Sequence, residues 1–218
     1  MADGFLNSDG QVIVQRMISI IHENRAYLSE IDGAIGDGDH GINMDKGFTL
    51  AENEIAGQKL SMSDALTTLG RTLVMEIGGA MGPLYGSMFR RMARVSKDQE
   101  RVTTHTLSGM LEAAVASIAE LGDAKPGDKT LVDTLDPAAK AVAAAAERGA
   151  PLAEAVDEMI AAAEAGWRST EDMVARIGRS ARLGERSRGT LDAGATSCYL
   201  LLKSMGETMK DLASAGSA

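Results

Sequence analysis

The sequence predicts an all-α protein of about eight helices with short connections, so that neighbouring helices run antiparallel. Three observations carry this expectation. Aromatic residues are only 3% of the chain, whereas small and flexible apolar residues are plentiful, 13 methionines among them, a composition that packs helices better than sheets. Apolar residues recur at helical spacing through most of the length. The breaks between these runs are short and rich in glycine, proline and aspartate.

From Gln11 to Ile31 the residues Val14, Met17, Ile21, Leu28 and Ile31 form one stripe of a first helix, which runs into the loop "IGDGDHGINMDKGF". A second helix is expected from about Asn43 to Ile55. A third starts at Ser61, with Asp64 three residues on as in a capping box, and reaches Ile77. "GGAMGPLYG" interrupts it, and Pro83 suits the first turn of a fourth helix ending near Val95, because its missing N–H would be unpaired there anyway. A fifth covers Leu107 to Leu121. "GDAKPGDKT" then makes a turn into an alanine-rich sixth helix ending near Arg148.

Pro151 opens the seventh, for which Leu152, Val156, Met159, Ala163, Trp167, Val174 and Ile177 predict one continuous face of about 26 residues. A polar stretch, "GRSARLGERSRGTLDAGATS", separates it from a final helix ending near Leu212. "ASAGSA", residues 213–218, reads as a frayed tail. No linker or repeat divides the chain, so one domain over residues 1–218 is expected.

The formal net charge of −9 argues against nucleic acid or an anionic membrane as a general partner, since both reward a basic face. Cys198 is the only cysteine, which rules out an internal disulfide. The N-terminus has no secretory pattern and no apolar run is long enough to span a bilayer, so a cytoplasmic location is expected.

The loop after the first helix has too many glycines for a helix interior and too many charges for a buried turn. Asp32 lies at the end of that helix, and Asp37 and Asp39 follow in a strand-like segment where alternate residues point the same way. Three carboxylates could therefore converge. Oxygen donors select hard cations, and the acids would repel one another without one, so Mg²⁺ is favoured on availability, with Ca²⁺ or Mn²⁺ as alternatives. A calcium loop of the EF-hand kind fails, because counting from Asp32 or Asp37 gives no acids at positions one, three and five with glutamate at twelve. The bland reading takes Asp37 and Asp39 as turn residues; the company of His40 and Asn43 at a helix start speaks against it.

Gly36, Gly38 and Gly41 would let backbone approach an anion, and the amides opening the second helix would point at it. His40 could donate to a phosphate oxygen. Gly78 to Gly82 form a second glycine-rich turn before a helix start. Arg176, Arg179, Arg182, Arg186 and Arg188 form a basic group unusual in an acidic chain, and one or two of them over a triphosphate would offset its charge.

Taken in order, "EIDGAIGDGDHGINMDKGF", "GGAMGPLYG", "KPGDKTLVD" and "GRSARLGERSRGTLDAGATS" resemble the L subunit of dihydroxyacetone kinases over nearly the whole chain. The resemblance implies a barrel of eight antiparallel amphipathic helices with a nucleotide at one end. It places the family's metal-binding aspartates on Asp32, Asp37 and Asp39, which would hold two Mg²⁺ ions against the phosphates of ADP or ATP. Nucleotide contacts fall on His40, Gly41, Ile42 and Asn43, on Ala80 and Met81 of the second loop, and on Gly122, Leu131, Arg179, Asp192, Ala193 and Gly194. Two departures stand out. Met81 replaces a common serine, and the lid reads Thr190-Leu191-Asp192-Ala193-Gly194, without the usual histidine and proline.

The activity so implied is phosphoryl transfer to a small ketose held by a separate K-type subunit, with bound ADP rephosphorylated by a phosphotransferase-system protein. Dihydroxyacetone is the family's default ketose. The alternatives are an ATP-exchanging subunit for another short ketose such as erythrulose, or a nucleotide-bound module that binds a regulator without turnover. A homodimer is left open, and a plain helical scaffold is the least favoured reading.

Overall fold

The computed structural model of the protein describes residues 4–216. Among these, eight α-helices follow in order: α1 (Gln11–Ile35), α2 (His40–Ile55), α3 (Met62–Glu76), α4 (Met81–Ser96), α5 (Thr104–Leu121), α6 (Val132–Glu147), α7 (Leu152–Ser169) and α8 (Ala193–Ala215). Each helix packs against the next in sequence, and α8 packs back against α1, so the ring closes. Touching neighbours joined by short connections run antiparallel. The architecture expected from the sequence is the one found.

Side-chain caps define three of the eight helix starts. Ser61 caps α3 by accepting from the Asp64 amide at 3.1 Å, and Thr103 caps α5 by accepting from Thr106 at 3.4 Å. Asp192 caps α8, its carboxylate taking the Ala195 amide at 2.7 Å. Inside the ring one continuous core draws on every helix, with Tyr85, Phe5, Phe48 and Phe89 as its largest fully buried members. Phe89 meets Phe48 edge-on and lies roughly parallel to Tyr85, with ring centroids 6.3 Å and 6.2 Å apart.

An unpredicted two-stranded ribbon, β1 (Phe5–Leu6) with β2 (Arg101–Val102), closes the end where the odd-numbered helices begin. Asn7 locks it, its amide nitrogen donating to Ser63 Oγ and to the carbonyls of Ser96 and Gln99.

Five boundaries differ from the sequence expectation, the simplest being α5, which starts at Thr104 rather than Leu107. α1 runs past Ile31 to Ile35, carrying Asp32 within its last turn, and α2 starts at His40 rather than Asn43. The seventh helix does not reach Ile177. It ends at Ser169, because the Thr170 hydroxyl turns back to the Trp167 carbonyl at 2.7 Å and accepts the Asp192 amide at 3.1 Å, while the Thr170 and Met173 carbonyls face Lys129. Tertiary donors, the Lys129 ammonium and the Asp192 amide, thus compete successfully with continuation of the helix, and Ile177 stands exposed. At the C-terminus α8 continues through Ala215 where fraying was expected, and residues 217–218 of that tail lie outside the described residues. No helix among the described residues is long and apolar enough to cross a membrane.

Candidate functional site

An up-and-down ring of eight brings the C-termini of α1, α3, α5 and α7 and the N-termini of α2, α4, α6 and α8 to one end. All of the residues singled out above sit in those helix ends or the loops between them. The residues before α2, α4 and α6 make no side-chain cap, but α6 directs its first amides to Thr130 and Leu131, and the His40 amide of α2 goes to Asp32. An anion would therefore meet the amides of Gly41 and Ile42 and those opening α4, where each helix adds partial positive charge.

The acid loop is a tight turn rather than the strand-like segment expected. Gly38 has a left-handed φ of +78° and Asp39 is already α-helical at φ −92°, ψ −10°. The turn still gathers the acids: ligand oxygens of Asp32, Asp37 and Asp39 lie within 4.8 Å of one another. Asp32 Oδ2 accepts the His40 amide at 3.2 Å, which fixes the first carboxylate against the start of α2. The other two side chains are open, 45% and 48% exposed, and both face the Arg179 guanidinium, which pairs with Asp37 and lies 3.4 Å from Asp39.

The glycines here are required by contact. A Cβ on Gly36 would come within 2.3 Å of Asp32 Oδ1, and one on Gly41 within 2.1 Å of the Arg25 carbonyl of α1. Gly41 therefore serves close packing of α1 on α2, a role the sequence reading did not give it. In the second loop Gly79 has φ +71° with open space around it, while a Cβ on Gly82 would strike the Ile77 carbonyl at 2.0 Å. Ala80 and Met81 open α4 directly after that turn.

Beneath the acids runs a polar chain that the sequence reading missed. His40 Nε2 lies 2.9 Å from Ser197 Oγ, and Tyr85 Oη hydrogen-bonds Ser197 Oγ at 2.7 Å and the Gly194 carbonyl at 3.0 Å. It links the starts of α2, α4 and α8. Burial lowers the His40 pKa, with the Asp32 charge pulling the other way, so its imidazole favours the neutral form. Burial likewise pushes the Tyr85 phenol well above its ordinary value. Tyr85 and Ser197 lie inside "GPLYG" and "LDAGATS", yet hydroxyls on an apolar stripe carry no sequence mark of their partners.

On the far side, Leu131 opens α6 next to α8: a Cβ on Gly194 would stand 3.6 Å from the Leu131 amide nitrogen. Ala193 is the buried first residue of α8 and Asp192 its cap, so the start of that helix is well formed without the proline. Burial raises the Asp192 carboxyl to about 6, against the opposing pull of the Ala195 amide and Lys129. Gly122 ends α5 at the same end of the ring, with open space where a side chain would stand. Ile42 projects into solvent at 49% exposure, and Asn43 continues the first turn of α2 through its amide bond to the Asp39 carbonyl at 2.9 Å.

Comparison with known proteins bears on this arrangement. The DAK2 domain family matches residues 34–207. The ADP-binding subunit DhaL of PEP-dependent dihydroxyacetone kinase 1 from Listeria innocua is 36% identical over 189 residues, which is 86% of this chain and 89% of that protein. The corresponding DhaL subunit of Escherichia coli K12 is 34% identical over 186 residues, 85% of this chain and 89% of that protein. Among solved structures, the dihydroxyacetone kinase of C. freundii in complex with AMP-PNP and Mg²⁺ superposes with a TM-score of 0.70 at 21% identity, covering 95% of this chain and 35% of that chain; this likeness speaks for the helical fold. With the family model across most of the length and DhaL relatives matched nearly end to end, the chain belongs to the DAK2 domain family, among the DhaL subunits of dihydroxyacetone kinase.

Proposed function

We propose that this chain is the nucleotide-binding half of a two-part kinase for a small ketose. The observation that carries the reading is the meeting of Asp32, Asp37 and Asp39 within 4.8 Å, at the end of the ring where four helices begin. An all-oxygen donor set beside uncapped amides suits a hard cation and the phosphates it accompanies. Asp32, Asp37 and Asp39 would hold two Mg²⁺ ions. Bound there, Mg²⁺ would supply phosphate-charge neutralisation and alignment for in-line transfer.

The chain's own residues do the rest of the positioning. The His40–Asn43 run at the start of α2, through the amides of Gly41 and Ile42, and Ala80 and Met81 at the start of α4 donate to phosphate oxygens. Met81 brings no hydroxyl, so the backbone alone serves in that loop. Arg179 adds an exposed positive charge over the acids, and Gly122, Leu131, Asp192, Ala193 and Gly194 line the remaining nucleotide face. The names of the Listeria and Escherichia relatives, ADP-binding subunits of PEP-dependent kinases, support ADP as the resident nucleotide. The name of a Lactococcus lactis relative, the ADP-binding subunit of a PTS-dependent dihydroxyacetone kinase, supports a phosphotransferase-system protein as phosphoryl donor.

The ketose has to be held elsewhere. His22 is engaged by Asp45 at 2.6 Å, His40 by Ser197, and His105 stands near the start of α5 at the opposite end of the ring. None of these histidines is placed to carry a sugar beside the acids. A K-type partner covering this end would supply it and choose which ketose is used.

Reconstitution tests the proposal. The chain, a K-type subunit, dihydroxyacetone and Mg²⁺ are combined with either a phosphotransferase-system donor or ATP, and sugar phosphate is assayed. Product is expected only when both subunits are present, with the phosphotransferase donor the more effective. Absence of product with both donors would refute the reading.

A further inference from the structure

Lys129 stands apart from every other residue that carries charge. It is the single non-glycine with left-handed backbone among the described residues, φ +63°, and its side chain is buried, 2% exposed. An L side chain adopts that backbone only at a cost, which the surroundings must offset. Asp133 helps to do so: its carboxylate accepts the Gly127 amide at 2.5 Å and the Thr130 amide at 2.7 Å, which fixes the turn from both sides of Lys129.

The turn aims the ammonium at four backbone carbonyls. Nζ donates to Thr170 at 2.8 Å and Met173 at 3.2 Å, and to Ser187 at 2.6 Å and Thr190 at 2.5 Å. The first two begin the segment between α7 and α8; the last two end it. With three N–H donors for four acceptors, the longest contact, to Met173, is shared. Burial draws the amine's pKa down, while Asp192 and Glu171 draw it back up. A neutral side chain of the same length would leave these carbonyls without their common donor.

Between the two clasped ends the segment carries exposed arginines, including Arg179, which reaches back to Asp37 and Asp39. Other ties across its base are single bonds, such as Gly189 N to the Glu171 carbonyl at 2.7 Å and Ala175 N to Ser187 Oγ at 2.9 Å. The ammonium is the one group that binds both ends at once and also joins them to the α5–α6 turn.

We propose that Lys129 is the latch of this loop: a positioning residue whose ammonium clasps residues 170–173 to 187–190, holds Arg179 over the aspartates, and thereby sets how fast nucleotide leaves. The kinetic part rests on the nucleotide-binding reading above; the latch itself does not.

The test uses the full chain with Lys129→Met and Lys129→Gly. Glycine accepts the left-handed backbone freely, so Lys129→Gly removes the ammonium without backbone strain. Circular dichroism reports the ring. Tryptic cleavage at Arg176 to Arg188 in nucleotide-free protein reports the loop, and release of a fluorescent ADP in the presence of Mg²⁺ reports the site. With helicity kept, cleavage and release are each expected to accelerate about tenfold, the scale of one or two lost charged hydrogen bonds. Unchanged cleavage in folded Lys129→Gly would overturn the latch, and faster cleavage with unchanged release would overturn its link to nucleotide. Loss of the whole ring in both variants would also overturn it, because the effect should stay within the loop. Should wild-type protein hold no nucleotide, the functional reading fails while cleavage still judges the latch.

Discussion

Asp192 caps α8 with a carboxyl held at about 6, chiefly by burial, while the Ala195 amide and Lys129 oppose the rise. Its folded pKa exceeds the ordinary value of 3.8, so its contribution to stability is fully present below about pH 4 and is lost as pH rises towards 6. In nucleotide-free protein the urea midpoint should fall across that window because of this group, and Asp192→Asn should flatten that part of the profile. An identical slope in the variant would show that Asp192 titrates as an ordinary carboxylate. At this scale the sequence was informative where residue types are scarce and chemically committed: three acids, a histidine and glycines in one loop have few other uses. It was silent on Tyr85, Ser197 and Lys129, whose roles depend on partners up to 157 positions away, in the case of Ser197 and His40.

At the scale of elements, close approach decides which glycines are indispensable. Gly41 lets the first turn of α2 lie on the α1 backbone at Arg25 and Ser29, and a methyl there would meet main chain rather than a yielding side chain. Gly41→Ala should therefore cost about 1–3 kcal/mol in thermal or urea unfolding, the usual range for overpacking. Gly122→Ala, with nothing within 4 Å and an extended φ of −160°, should unfold as wild type does. Equal stability of the two variants would mean that α2 can shift without penalty. Periodicity located every helix, because each buries one face in the core. It failed at the end of α7, where Val174 and Ile177 continue the stripe while Lys129 claims the Thr170 and Met173 carbonyls that another helical turn would need and the Asp192 amide holds the Thr170 hydroxyl. It also mistook the acid turn for an extended segment, since a left-handed glycine leaves the residue pattern unchanged.

For the whole molecule, the closed ring explains why motifs spread from Asp32 to Gly194 lie at one end: alternation of direction puts every second connection at the same end. The opposite end is sealed by the β1–β2 ribbon and Asn7. The described residues, 4–216, thus form one ring with two unlike ends. The central claim is that the aspartate end holds a nucleotide through Mg²⁺. Its most direct test is the nucleotide content of purified protein after dialysis, with and without chelator, for wild type and Asp37→Ala. About one ADP per chain, retained until Mg²⁺ is withdrawn and absent from a folded Asp37→Ala, is the expected result. Protein that arrives without nucleotide and takes up neither ADP nor ATP when Mg²⁺ is supplied, or an Asp37→Ala chain that retains as much as wild type, would contradict it.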